Sequence, residues 1–554
     1  MEISMMNKTV IEYVLDRLYQ IGIHDIFGVA GDYAFPIEDA VCESEKMRWI
    51  GNCNELNASY AADGYARVKG VAALSTTFGV GELSALNGIA GAYAEHLPIF
   101  HLVGMPASGV QKNHRLVHHT LGNGDFDVFY QMSQHLSCAH AILTPENCIA
   151  ETERLITTAL QESRPVYLGF PSDYAVMPIK ADKTSETITI NKSHSESLSA
   201  AVTAIVEKLT SSTKACIIPG ILTARFGLTT DVEAIIQKTG LPYATMFMDK
   251  GVLSESNSRY MGIYNGKLMN PEVREFVESC DCVMGIGAVL TDFNSGSFTA
   301  AIAPESCINI LSDHVKVGSA IYPNVLMKDV LHKLKELVPS LNHVGIKAQD
   351  LGSPQQGENG QITASYLYPR LEKMFRKDDI IIAETGTASM GLGFALLPEN
   401  AQFHNQTLWG SIGWATPAAF GAAIAEPHKR VILVTGEGSH QLTAQEISQF
   451  ARFGLKPIIL VLNNDGYLIE RLLCKNPEAY YNDLPQWNYA QLPAALGCKD
   501  WYCQRVTNCI ELDNAIKQAE LSNHAAYIEV IMDRYAASEL AEKLGKSVAS
   551  LYSF

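Results

Sequence analysis

Residues Val431 to Arg471 constrain the fold more tightly than any other stretch of this chain. Arg430-Val-Ile-Leu-Val434 reads as a strand and Thr435-Gly-Glu-Gly-Ser439 as a tight glycine turn. An amphipathic helix is predicted next, with Leu442, Ile447, Phe450 and Phe453 near the helical repeat. Pro457 to Leu462 is a continuous apolar run, the pattern of a strand buried on both faces. Asn463-Asn464-Asp465-Gly466 then carries no apolar side chain. A strand–helix–strand unit of this length predicts a parallel pair joined by a right-handed crossover. Both polar loops then leave the carboxyl ends of their strands, where open α/β sheets bind ligands.

The residue types in those loops suit an anion and a hard cation. Gly436, Gly438 and Ser439 let backbone N–H groups approach an anion at the start of the helix. Glu437 and Asn464 offer oxygen ligands, and a backbone carbonyl near Gly466 offers another. Mg²⁺ takes one or two protein oxygens together with phosphate oxygens, so the set points to a magnesium–phosphate ligand. Glycine turns alone are common. The conjunction of turn, acid, helix, buried strand and Asn-Asn is specific.

This stretch resembles the binding motif of thiamin diphosphate (ThDP) enzymes, which runs Gly-Asp-Gly, a spacer and Asn-Asn. Here Gly436-Glu437-Gly438 precedes Asn463-Asn464, with the acid and the second Asn 27 positions apart. The family's usual Asp is Glu437, one methylene longer, so the resemblance implies Mg²⁺ held by Glu437, Asn464 and Gly466 in an adjusted geometry.

At 554 residues the chain is too long for one core. A net charge of −17 argues against nucleic acid or an anionic membrane as partner. No apolar run reaches membrane-spanning length, and none near Glu2 has signal-peptide character. Twelve scattered cysteines without a CxxC read as reduced thiols in a cytoplasmic protein.

In the first third, Thr9 can cap a helix with an apolar face of Val10, Tyr13, Val14 and Leu18. Strands are predicted at Ile26–Val29, Arg48–Gly51, Ala72–Thr77, Ile99–Val103 and Val166–Gly169. Asp32 follows the first strand, and Glu55 opens a helix after the second, places where an acid is often only a turn or dipole residue. His118-His119 lies in a polar loop, where adjacent histidines more often decorate a surface and do not easily face one metal. Together, Gly31-Asp32-Tyr33, Asn54-Glu55-Leu56-Asn57 and His118-His119 resemble, in order, three motifs of the 2-oxo acid decarboxylase branch of ThDP enzymes. Pyruvate and indolepyruvate decarboxylases are the nearest in pattern.

Strands at Ala215–Ile218, Cys282–Met284 and Cys307–Ile310 mark a middle unit, in which Gly285-Ile-Gly287 reads as a close-packed turn, not a nucleotide site. Lys347–Gln361 is the clearest linker. Beyond it, a strand at Asp379–Ala383 leads to Thr385-Gly-Thr387, and Leu408-Trp-Gly410-Ser-Ile412 follows. The resemblance implies an α/β protein of three doubly wound domains with mainly parallel sheets. These are a pyrimidine-binding domain (1–190), a middle domain (195–345) and a diphosphate-binding domain (362–554).

It also implies roles. Glu55 hydrogen-bonds the cofactor pyrimidine, Gly410 offers it a carbonyl, and Ile412 forces the bent cofactor conformation. Thr385, Thr387, Gly438, Ser439, Asn464, Gly466, Tyr467 and Ile469 complete the cofactor contacts. Asp32, Glu55, His118, His119 and Glu470 are the implied catalytic residues, handling proton transfers in non-oxidative decarboxylation of a 2-oxo acid. Pyruvate is the first substrate, favoured by Ile469, with aromatic or branched 2-oxo acids second. The implied assembly is a homodimer at least, commonly a homotetramer. Two other readings compete: a ThDP carboligase, which would lack the histidine pair, and a non-catalytic ThDP-binding relative, suggested by Glu437. A helix is expected in the tail Ala536–Phe554.

Overall fold

The computed structural model describes residues 8–180 and 191–548. Thr9 caps the first helix, Val10–Gln20: its hydroxyl accepts the Glu12 N–H at 3.3 Å, and the Glu12 carboxylate accepts the Thr9 N–H at 2.8 Å. This capping box satisfies donors that a helix start leaves free. Val10, Tyr13, Val14 and Leu18 are buried as their spacing predicts.

Among the described residues, three sheets form. The first contains β1 (Asp25–Gly28), β2 (Arg48–Gly51), β3 (Ala72–Thr77), β4 (Ile99–Met105), β5 (Ala139–Ile142) and β6 (Val166–Pro171). Its order is β2-β1-β3-β4-β6-β5, with every pair parallel. The second contains β7 (Ala215–Pro219), β8 (Tyr243–Thr245), β9 (Tyr260–Ile263), β10 (Cys282–Ile286), β11 (Cys307–Ile310), β12 (His314–Val317) and β13 (Ala320–Pro323). It is parallel apart from the antiparallel β11–β12–β13 meander at one edge. The third contains β14 (Ile380–Ala383), β15 (Gln402–His404), β16 (Val431–Gly436), β17 (Ile458–Asn463), β18 (Tyr502–Val506) and β19 (Ala526–Ile531). Its order, β15-β14-β16-β17-β19-β18, repeats the first sheet's topology and is again wholly parallel. The α/β class with mainly parallel sheets is therefore as expected. β3, β4, β14 and β17 are buried along their whole length, which is why they read as unbroken apolar or small-residue runs.

Contacts gather the chain into two compact units. One is Met1–Asn191 with Thr416–His428 and Thr443–Leu455; the other is Lys192–Ala415 with Lys429–Leu442 and Lys456–Phe554. In the first unit the helix Glu55–Lys69 crosses the 416–428 segment at backbone contact. A Cβ on Gly64 would lie 2.1 Å from the Ala418 carbonyl oxygen, and one on Gly421 would lie 1.8 Å from that of Ala61. Phe420 packs edge-on against Phe27 and Phe450 in the same unit.

One expectation is amended. The single helix predicted after Gly438 is broken into Glu437–Thr443, a 3₁₀ turn Ala444–Glu446, and Ile447–Arg452. The break turns Glu446 inward, so Ile447 and Phe450 are buried while Leu442 is 46% exposed and off the apolar face. The tail forms a helix at Glu539–Val548, and its last six residues lie outside the described chain. The 181–190 end of the predicted first domain is likewise outside it. Gly285-Ile-Gly287 is the close-packed turn expected: a Cβ on Gly287 would meet the Thr223 nitrogen at 2.9 Å. No helix among the described residues is long and apolar enough to cross a membrane.

The Gly64 crossing leaves no room for a methyl group. Gly64→Ala should destabilise the first unit by about 1–3 kcal/mol through overpacking. Gly109→Ala, whose added Cβ meets nothing within 4 Å, should leave the apparent thermal midpoint unchanged. Equal midpoints for the two variants would refute the crossing.

Candidate active site

A cavity of about 370 Å³ opens at the carboxyl ends of β14, β16 and β17. Parallel pairing of Gly436 with Leu462 brings the loops after β16 and β17 out side by side. Thr385, Thr387, Ile412, Gly438, Ser439 and Asn464 line the cavity, as do Glu437, Gly466, Tyr467, Ile469 and Glu470. The structure thus brings together the residues singled out in this part of the sequence, with one exception. Gly410, in the left-handed region at φ 65°, adjoins Thr385, its Cβ position 3.8 Å from Thr385 Cγ2, without itself lining the cavity. Gly438 has no side chain because Tyr467 lies against it: a Cβ would be 2.4 Å from the ring. Gly386 (φ 106°) faces Ile469, whose Cγ2 would be 3.7 Å from an added Cβ.

The residues expected to hold a metal converge. The Glu437 carboxylate is buried and accepts the backbone N–H groups of Gly466 at 2.8 Å and Asn464 at 3.2 Å. Burial pushes its carboxyl up to about 7, opposed chiefly by the Gly466 hydrogen bond. One terminal atom of the Asn464 amide lies 3.1 and 3.2 Å from the two carboxylate oxygens and 3.2 Å from the Gly466 carbonyl oxygen. As nitrogen, that atom donates to all three acceptors; as oxygen, it completes a nest of oxygens that only a cation can hold together. Octahedral Mg²⁺ at about 2.1 Å sets neighbouring ligand oxygens about 3 Å apart, so the donor set fits it. The extra methylene of Glu437 does not carry the carboxylate out of the nest.

Glu384 supports the other wall. Wholly buried, it accepts the N–H groups of Thr385 (3.0 Å) and Ala415 (3.3 Å) and the Thr435 hydroxyl (3.3 Å). Burial raises its carboxyl to about 7. One acid therefore joins the loop of Thr385, the segment after Ile412 and the strand that ends in Gly436.

The first unit carries a second cluster. His118 Nε2 lies 2.6 Å from an Asp32 oxygen, and His119 Nδ1 lies 3.8 Å from the other. Tyr33 stacks on His118 at 4.9 Å between ring centroids and donates to its carbonyl. Adjacent histidines do not easily face one partner. His119 takes a left-handed backbone (φ 61°), which turns both rings toward Asp32, so the ligand atoms of all three residues lie within 4.8 Å of one another. Gly79 makes this possible, since a Cβ there would lie 2.1 Å from the His119 carbonyl oxygen.

Glu55 begins its helix, with Asn54 as the cap accepting the Asn57 N–H at 2.8 Å. It is half-buried, and burial raises its pKa. Glu446, buried on the broken helix, holds this turn: its carboxylate accepts from Asn52 Nδ2 (2.7 Å), the Cys53 N–H (3.2 Å) and Asn57 Nδ2 (2.7 Å). Glu82 likewise holds the Gly79 N–H (2.9 Å) and the Tyr167 hydroxyl (3.1 Å). Neither acid was identified from the sequence. The available signal for Glu446 was an acid immediately before the buried positions Ile447 and Phe450.

With this geometry in hand, comparison with known proteins is direct. The thiamine pyrophosphate enzyme models match in three parts: the N-terminal TPP binding domain over residues 8–128, the central domain over 202–337 and the C-terminal TPP binding domain over 384–530. Pyruvate decarboxylase isozyme 1 of Saccharomyces cerevisiae is 38% identical, covering 99% of both chains. The pyruvate decarboxylase of Candida glabrata is 39% identical over the same share of each. That of Candida albicans is 38% identical, covering 95% of this chain and 96% of its own.

The buried acids make stability depend on pH. Burial pushes Glu82 up to about 7, whereas an unfolded Glu titrates near 4.3. Between those values the folded chain keeps a proton that the unfolded chain has released, so stability falls as pH rises. The thermal midpoint of the cofactor-free protein should therefore decline from pH 5 to 7.5, and Glu82→Gln should flatten part of that decline. An equal slope in the variant would show that Glu82 is not a carrier of it.

Proposed function

Because the chain belongs to the thiamin diphosphate-dependent 2-oxo acid decarboxylases, we propose that it converts pyruvate to acetaldehyde and CO₂. The observation carrying this reading is the cavity whose wall gathers the glycine turn, the convergent oxygens of Glu437, Asn464 and Gly466, and Glu470. Relatives alike over the whole chain and named pyruvate decarboxylase support the substrate.

Bound thiamin diphosphate supplies the carbon nucleophile and the electron sink that let a 2-oxo acid lose CO₂. The chain's own residues bind, orient and move protons. Gly438 and Ser439 present first-turn N–H groups, free of helix partners, to the diphosphate. Glu437, Asn464 and the Gly466 carbonyl hold Mg²⁺. Thr385, Thr387, Ile412, Tyr467 and Ile469 shape the pocket, and Gly410, beside Thr385, would offer its backbone carbonyl to the pyrimidine. Glu55, half-buried and with its pKa raised by burial, would hydrogen-bond the pyrimidine. Asp32 holds His118 at hydrogen-bond distance, and that pair with His119 moves protons at the substrate. Glu470, exposed on the cavity wall, is a further proton-transfer group for the substrate.

The free cysteines among the described residues fit a reducing compartment, and we place the protein in the cytoplasm. Residues 1–190, 195–345 and 362–554 act as pyrimidine-binding, middle and diphosphate-binding domains. Acid–histidine chemistry on one and diphosphate chemistry on another make two halves that complete each other in a homodimer, paired into a homotetramer.

Metal-stripped protein given pyruvate should release acetaldehyde only with ThDP and Mg²⁺, and faster than it acts on indolepyruvate. Glu55→Gln should lower kcat by at least about 10²-fold. Cofactor binding without aldehyde from either substrate would overturn the reading. In sedimentation the cofactor-loaded protein should run as dimer or tetramer; a fully active monomer would refute the shared-site assembly.

A further inference from the structure

Arg471 is a fully buried cation one residue beyond Glu470, in the helix Leu468–Leu473. Its side chain has no exposed surface, yet among the described residues the acid at salt-bridge distance from it is Asp483, 41% exposed, at 2.7 Å. The remaining contacts are main-chain carbonyls. Nη1 donates to Pro477 at 2.7 Å, and Nη2 donates to Asp465 at 3.1 Å and Asn482 at 3.4 Å. One guanidinium thus ties the loop that precedes Gly466 to the segment 477–483. The Tyr467 N–H donates to the Asn482 carbonyl at 2.9 Å, and the Asn482 amide donates to the Pro477 carbonyl at 3.1 Å, closing the same knot.

Both ends of the knot face the cavity. Gly466, Tyr467, Tyr481 and Asn482 all line it. Gly466 lies so close that a Cβ would sit 2.6 Å from Arg471 Nη2 and 2.3 Å from the Asn482 carbonyl oxygen. Its φ of 136° adds a second reason for glycine. The segment 477–483 otherwise has little regular structure, a single 3₁₀ turn at Tyr480–Asn482, and Tyr480 is 89% exposed. Without the guanidinium, three carbonyls at the buried knot would lose a donor.

We propose that Arg471 is a positioning residue that latches the 477–483 segment over the metal end of the cavity and sets how long the metal–diphosphate cofactor stays bound. The inference rests on reading that cavity as the cofactor site. Chemistry selects arginine over lysine. Nη1 and Nη2 reach separate groups of acceptors from one rigid plane, which a single ammonium on a flexible stem cannot reproduce.

The test uses the full-length protein loaded with ThDP and Mg²⁺, freed of unbound cofactor by gel filtration and assayed for protein-bound ThDP over time. Residues behind metal ligands commonly change metal affinity by about 10–100-fold. Arg471→Lys and Arg471→Met should therefore release ThDP about tenfold faster or more, with kcat at saturating cofactor within about twofold of the parent. Asp483→Asn, altering a half-exposed partner without removing the buried cation, should also speed release while the cofactor-free thermal midpoint stays unchanged. If the parent protein itself fails to retain ThDP, the functional reading falls. If the parent retains it and Asp483→Asn and Arg471→Lys retain it equally, the latch is overturned while the function stands. If the arginine variants do not fold, release from Asp483→Asn alone decides.

Discussion

The carboxylate of Glu437 joins the ends of two adjacent parallel strands, and the organisation of the cavity depends on that join. β16 ends at Gly436 beside Leu462 of β17, so the two chains leave the sheet together. Left alone, the N–H groups of Asn464 and Gly466 would be buried without partners, a cost of about 1–3 kcal/mol each. Glu437 accepts both, and in doing so brings its oxygens against the Asn464 amide and the Gly466 carbonyl. The hydrogen bonds that satisfy the loop are also what assembles the cation nest. An acid longer by one methylene is compatible with this, because its reach is fixed by two main-chain donors and not by the metal alone.

Buried acids recur wherever the chain needs irregular backbone held still. Glu384 joins three segments behind Thr385, Glu446 grips the turn before Glu55, and Glu82 holds Gly79 beneath His119. Each sits away from water and carries a pKa raised by burial. Desolvating a carboxylate is unfavourable, and two or three hydrogen bonds from fixed donors offset it. A hydrophobic side chain in the same place would pack as well but could not dictate where loop N–H groups point. Arg471 is the cationic counterpart: it collects carbonyls as the acids collect N–H groups.

The legibility of the fold follows burial. β3, β4, β14, β16 and β17 are central strands, covered on both faces, and their apolar or small-residue runs mark them within two residues of their true ends. Edge strands such as β5, β15 and β18 are short and partly exposed, so their composition is mixed and they were not distinguished from loop. Leu442 was assigned to a helix face by periodicity, but periodicity assumes an unbroken helix, and the turn at Ala444–Glu446 ends that assumption. Along the cavity wall the match is close because its residues are contributed by loops near in sequence to recognisable strands. Gly410 adjoins the wall at Thr385 without lining the cavity. Glu446 and Arg471 escaped because their partners are contributed by other loops or segments that no local pattern connects to them, whereas Glu82 stands three residues after Gly79, at capping-box spacing, with a glycine in place of the usual Ser or Thr.

The repeated sheet order explains where the polar loops gather. In the order 2-1-3-4-6-5 the chain runs outward from the first strand to the second and then returns to the first strand's other side. The switch point therefore lies between the first and third strands of each sheet, and open parallel sheets bind ligands outside the carboxyl ends at such a point. In the first sheet β1 leads to Asp32, and β3 leads to Gly79 under His119. In the third, β14 leads to Thr385, and β16 leads to Gly436 and Glu437. One scaffold is thus used twice, and only the loop chemistry differs. Acid and imidazole at one switch point suit proton transfer; glycine, amide and carboxylate oxygen at the other suit a metal-bound diphosphate.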